Sequence, residues 1–183
     1  MAMTLGTFVL VLLESKAEPL PSPLDRLIAV PSPSIDIGQI TQTDVPLQLV
    51  KWRNLVVHSS ASAGSELAKG CHFLVVPGAD GRGGSVVATD RWKQQADGRH
   101  VQVAGFDYNR NSIGVCVIGE FSSRPPSRDQ FDAVVGLVRQ LRRQCGVPAD
   151  QVYLARQLPL AQRTPGEAFP MDLFEQLVKA PVR

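Results

Sequence analysis

Histidine, cysteine, aromatic residues and excess charge are all scarce in this chain, and each shortage excludes something. His58, His72 and His100 are the whole stock of histidine. None follows position 100, so a metal site that needs an imidazole from the C-terminal half has none to draw on. The three cysteines, Cys71, Cys116 and Cys145, are an odd number in a chain too long to need stapling, which argues against a disulfide framework. Net charge is only +2, from 19 basic and 17 acidic residues. Nucleic-acid binders carry and cluster more, so no nucleic-acid partner is expected. No apolar run approaches the roughly 18 residues that cross a bilayer.

The longest apolar stretch, LGTFVLVLL at residues 5–13, suits the core of a signal peptide, the stub of an anchor or a packed strand, although positive residues do not precede it. Beyond such an anchor no stable membrane insertion is expected. Five of the fourteen prolines then fall within EPLPSPLDRLIAVPSPS, residues 18–34. That density resists helix and sheet, so the segment reads as an extended linker. The expected organisation is an apolar segment at 1–17, a proline-rich linker at 18–40 and one folded domain at 41–183. A composition of 44% hydrophobic and 20% charged residues is ordinary globular material. A monomer is expected.

Within the domain the periodicity alternates. WRNLVVH, CHFLVVP, SVVAT and QVYLA are short β-branched runs, and GADGRGG at 78–84 supplies a hairpin turn rather than a phosphate cradle, because it lacks a Lys-Ser/Thr ending and opens no helix. SIGVCVIG at 112–119 is apolar on both faces, as a central strand covered on both sides must be. Cys116 on it is a small core hydrophobe. Ser127 and Gln130 form a capping-box pair, and Phe131, Val134, Val135, Val138, Leu141 and Cys145 recur at helical spacing until Gly146 and Pro148. A last helix starts near Pro170, with Leu173, Phe174, Leu177 and Val178 inward. Strands interleaved with helices predict an α/β fold, a central mixed β-sheet flanked by helices.

The blocks WRNLVVHSSA, HFLVV, GRH, NRNSIGVCVIGEF and TPGEAFP, over about residues 52–170, resemble in order and spacing the type-2 N-acetylmuramoyl-L-alanine amidases. That group includes amidase-type phage lysozymes and peptidoglycan recognition proteins. The resemblance implies a groove for glycan and stem peptide, with peptidoglycan or muropeptides as partners, in the bacterial cell envelope or outside the cell. In active members two histidines and a cysteine hold zinc, whose bound water attacks the amide between N-acetylmuramic acid and L-alanine.

Carried over residue by residue, the first zinc histidine falls on His58. The second falls on Ala155, in LARQ where the family has a GHRD-like block. The cysteine of the family's CPG falls on Thr164. The family's tyrosine, one before a histidine, falls on Cys71. His72, Trp92, His100, Asn109, Asn111 and Ser112 fall where relatives line the groove. One ligand kept in three implies a recognition domain whose hydrolysis is lost or strongly reduced, with no cofactor expected. The alternatives are an active zinc amidase with an altered ligand set, drawing on Thr164, a water or Cys71 with His100, and a scaffold domain without catalysis. Because neighbouring strand residues face opposite ways, Cys71 and His72 are expected on opposite faces, with Cys71 toward the groove.

Overall fold

The computed structural model describes residues 36–78, 83–101, 107–159 and 163–180. The apolar segment 1–17 and nearly all of the linker therefore lie outside the described residues, as do 79–82 of the glycine-rich loop.

A short helix α1 (Ile37–Ile40) comes first, capped by the Asp36 side chain. Ile37 and Ile40 pack against the core, inside the segment that the prolines mark as linker. Then follow β1 (Asn54–Ser60), α2 (Glu66–Gly70), β2 (Phe73–Pro77), β3 (Gly84–Ala88), α3 (Asp90–Lys93), α4 (Tyr108–Asn111), β4 (Ser112–Ile118), α5 (Arg128–Cys145), β5 (Val152–Leu154) and α6 (Met171–Lys179). The five strands form one sheet in the order β3-β2-β4-β1-β5. The β2–β3 pair is antiparallel, as two strands joined by a short loop must be, and the other pairs are parallel. The expected mixed sheet flanked by helices is thus the fold.

Strand β4 sits at the centre, between β2 and β1, and is buried at all seven positions. Strand alternation splits the sheet into two different surfaces. Leu55 and Val57 of β1, Ile113, Val115 and Val117 of β4, and Phe73 and Val75 of β2 face the main core, shared with Phe131, Val134, Leu137, Val138 and Leu141 of α5 and Phe174 and Val178 of α6. Fully burying each such side chain contributes ~1.5–3 kcal/mol, so this face carries most of the stability. The other face presents Val56, His58, Ser112, Gly114, Cys116 and Ile118, and among the described residues two small apolar clusters pack on it.

Helix α5 starts as the sequence predicts at one end of the capping pair: Ser127 Oγ accepts from Gln130 N–H at 3.2 Å. The reciprocal bond of a capping box is absent. Gln130 instead donates through Nε2 to Val75 O (3.2 Å), at the last paired step of β2 with β4, and to Ile118 O (2.8 Å), at the end of β4. A buried amide there satisfies two strand carbonyls, a stronger demand than the cap. At the other end Gly146 takes the left-handed conformation, φ 68°, that the expected stop requires.

Candidate functional site

The second face of the sheet gathers all three histidines. His58 lies on β1, opposite Cys116 of β4. His100 arrives on the segment after α3, and its ring fits between two glycines. A Cβ on Gly98 or on Gly114 would stand 2.4 Å from His100 Cδ2, so only glycine permits this approach. His58 Nε2 and His100 Nδ1 are 3.0 Å apart. His72, just before β2, packs edge-on against His100 with ring centroids 5.7 Å apart.

The partners fix the tautomers. His72 Nδ1 accepts from Gly114 N–H at 2.9 Å, so its proton is on Nε2 and is donated to Ala96 O at 3.0 Å. Ser112 O, an acceptor only, lies 3.4 Å from His100 Nε2, which places the His100 proton there. His100 Nδ1 must then accept, and His58 donates through Nε2. What remains is His58 Nδ1, an unprotonated nitrogen that is buried and has no hydrogen-bond partner among the described residues. Burial keeps all three rings neutral. It pushes His58 down to about 3 and His72 to about 4. His100 lies well below the ordinary histidine value, through burial first and then the neighbouring His58 and His72.

Two further expected site residues follow β5. The β1–β5 register ends with Val57 opposite Leu154, and Ala155 opens the 3-10 turn that comes next. Ala155 is fully buried against Val56, Val101 and Leu158 and offers no ligating atom. The Thr164 carbonyl accepts from the N–H of Arg156, the residue after Ala155, at 2.7 Å. Thr164 Oγ1 and Ser112 Oγ are likewise buried without a hydrogen-bond partner among the described residues. No three His, Cys, Asp or Glu side chains among the described residues are grouped to hold a metal ion.

Other expected site residues stand elsewhere or serve the frame. Trp92, expected to line a groove, is completely enclosed in the main core: its indole N–H donates to Thr41 O at 3.1 Å and its ring packs on Phe73. Its Trp-Lys-Gln-Gln context had no signal separating a stacking ring from a core ring. His72 and Ser112 are fully buried and His100 nearly so, so their side chains form the floor beneath the surface rather than its lining. Asn109 braces the floor, accepting from His100 N–H and Val101 N–H (both 2.9 Å) and donating to Val101 O at 2.6 Å.

Cys71 departs from the alternation argument. The strand begins only at Phe73, and Cys71 is the C-cap of α2. It packs with Cys116 on the same sheet face as His72, fully buried. Burial, followed by the Cys116 contact, holds its thiol well above the ordinary value, so it is neither a nucleophile nor a proton donor near neutral pH.

Asn111 lines an open cleft, of about 240 Å³, with Asn54, Asp107, Tyr108, Gln151 and Tyr153. Sequence reasoning missed those five. Tyr153 was legible only as the middle of a strand, and nothing local marked it as facing the same side as His58.

Three solved structures share this fold. They are the N-acetylmuramoyl-L-alanine amidase LysC from Clostridium intestinale (17% identity, TM-score 0.54, 76% of this chain and 93% of that one), AmpDh3 from Pseudomonas aeruginosa in complex with anhydromuramic pentapeptide (16%, 0.51, 69% and 60%), and bumblebee PGRP-SA (19%, 0.50, 73% and 87%). At such identities the likeness is one of fold. A comparison with curated proteins finds no match. A family model described as N-acetylmuramoyl-L-alanine amidase matches residues 48–167, well over half of the chain, and the protein therefore belongs to the N-acetylmuramoyl-L-alanine amidase family.

Proposed function

We propose that this domain recognises peptidoglycan fragments at the cell envelope and has lost, or nearly lost, the hydrolysis typical of its family. The observation that carries the reading is the environment of His58. Its Nδ1 is buried and has no hydrogen-bond partner among the described residues, and the two positions at which the resemblance puts the family's other ligands hold an alanine and a threonine. Zinc does not fit this set. A lone imidazole with a neutral hydroxyl falls short of the three or four converging ligands that protein zinc sites use. A buried thiol at Cys71, turned to Cys116, does not extend it. The missing tyrosine at that same position removes a proton-transfer group as well.

Recognition is supported by family membership and by the P. aeruginosa relative, which holds an anhydromuramic pentapeptide. Protein purified from zinc-containing medium is expected to carry well under one zinc per chain, to bind a muropeptide with an intact stem, and to release no stem peptide from it. One tightly held zinc per chain together with turnover of the amide would overturn the reading in favour of an altered ligand set. No binding of peptidoglycan in any form would leave the scaffold alternative.

A further inference from the structure

We infer that the turn at residues 48–51 is a membrane-contact point, which seats two aliphatic side chains in the headgroup layer of a bilayer whose surface carries anionic lipid. The inference stands apart from the peptidoglycan reading and uses no residue of the sheet face that holds His58.

The turn has the wrong residues for an exposed corner, yet the fold holds it there. Lys51 N–H donates to Gln48 O at 3.0 Å, so Leu49 and Val50 occupy the two corner positions, where Gly, Pro, Asn, Asp and Ser are usual. Leu49 is 54% exposed and Val50 86%; the other exposed large hydrophobic residues among the described residues are Val45, just before the turn, and Val87 of β3. A buried glutamine pins both ends. Gln95 Oε1 accepts from Gln48 N–H (3.2 Å) and from the Trp52 indole N–H (2.6 Å), and Gln95 O accepts from Lys51 Nζ (2.6 Å). Gln95 does this from a left-handed backbone, φ 53°, the only non-glycine residue among those described to adopt one. Such a conformation persists only where the surroundings impose it. The apolar corner is therefore held in place by the core.

The surroundings select a bilayer as the partner. Leu49 and Val50 border an open hollow of about 400 Å³ together with Arg53, Cys145, Gly146 and Pro148, which puts the last turn of α5, with Arg142 and Arg143, beside the corner. Lys51 is paired with Asp97 at 2.7 Å. That leaves the guanidiniums of Arg53, Arg142 and Arg143 against the carboxylates of Asp44 and Asp150, an excess of positive charge around an apolar tip. Interfacial contact with anionic lipid uses this pairing, aliphatic tips below the headgroups and cations among them. A stable protein interface would bury about 800 Å² on this side, and two aliphatic tips do not make the apolar core of one. No helix among the described residues is long and apolar enough to cross a membrane, and the contact is a peripheral one.

The test is sedimentation of the full chain with vesicles of phosphatidylcholine alone and of phosphatidylcholine with roughly a quarter of phosphatidylglycerol. Binding is expected on the second kind and little on the first. Leu49→Ser and Val50→Ser should each weaken it about tenfold, through the apolar area no longer buried, and Arg53→Gln about fivefold. All three positions are exposed, so the variants should keep the melting temperature of the wild type. Because residues 5–13 are themselves apolar, the point of contact is read separately: a polarity-sensitive dye on Val50→Cys, the native cysteines being buried, should shift to the blue when the phosphatidylglycerol vesicles are added. Binding that all three variants leave unchanged would overturn the inference, since another segment would then hold the chain to the lipid. No binding to either vesicle, or equal binding to both, would overturn it too, as would a dye at position 50 that stays in water while the chain sediments. Self-association of the chain without vesicle binding, lost in Val50→Ser, would overturn it in favour of a protein partner.

Discussion

Restoring two ligands should restore a metal, and the structure indicates the cost and the gain. In Ala155→His with Thr164→Cys, the new imidazole enters a fully buried position packed by Val56, Val101 and Leu158. Overpacking of this kind costs ~1–3 kcal/mol. At ~2–4 °C per kcal/mol for a chain of this size, the metal-free double variant should melt roughly 2–12 °C below the wild type. His58 itself needs no rearrangement, because its Nδ1 is free and its Nε2–H already donates to His100. That second bond is how zinc-binding histidines are held in their working orientation, and losing such support typically costs ~10–100-fold in metal affinity. Zinc should therefore bind the double variant and recover its melting temperature, and adding His100→Ala should weaken zinc by that same ~10–100-fold. The assay is melting by scanning fluorimetry across a zinc titration, with elemental analysis of the dialysed protein. A folded double variant that takes up no zinc would refute the assignment of Ala155 and Thr164 to the two missing ligand positions. A zinc affinity indifferent to His100→Ala would refute the orienting role of the His58–His100 bond.

The buried histidines make the fold acid-sensitive. Their folded pKa values are lowered to about 3 for His58 and about 4 for His72, so the unfolded chain binds more protons below pH ~6.5. Stability is then full above that value and lost as pH falls toward 4, by about 2 kcal/mol per histidine at pH 5. Urea midpoints should drop between pH 7 and pH 5; equal midpoints would contradict the neutral cluster. Gly114→Ala should destabilise the domain and break the His58–His100 pair, because its Cβ would stand 2.4 Å from the His100 ring; an unchanged melting temperature together with unshifted imidazole NMR signals would count against the sandwich. Cys71, Cys116 and Cys145 are all buried, so Ellman's reagent should titrate none of them in the native protein and all three in guanidinium; rapid native labelling of Cys71 would show that it faces the solvent.

Much of the architecture was legible because period-2 and period-3.6 patterns report on faces, and faces are what a sheet and an amphipathic helix bury. The double-sided apolar character of 112–118 located the central strand, and α5 begins and ends at the residues its cap and its glycine mark. Errors arose where a side chain's role depends on distant backbone. Gln130 follows a serine at capping spacing, yet two strand carbonyls from 55 and 12 residues away claim its amide. Trp92 has the local surroundings of an exposed turn, but Phe73, Trp52 and Thr41 close over it. Cys71 was assigned a face by extending β2 two residues too far, and a strand's alternation says nothing about the residue that caps the preceding helix. The link from His58 to His100 spans 42 residues and depends on two glycines, Gly98 and Gly114, that carry no signal by themselves.

The fixed tautomers also set a limit on proton traffic. A proton picked up at His58 Nδ1 would free the hydrogen on Nε2 to cross to His100 Nδ1, and His100 would then hold two hydrogens, the outer one pointing at Ser112 O. A peptide carbonyl accepts a hydrogen bond but does not pass a proton on. His72, whose ring nitrogens are already committed to Gly114 and Ala96, offers no branch. The pair is thus a closed end, not a wire: charge that enters at His58 must leave by the nitrogen through which it came.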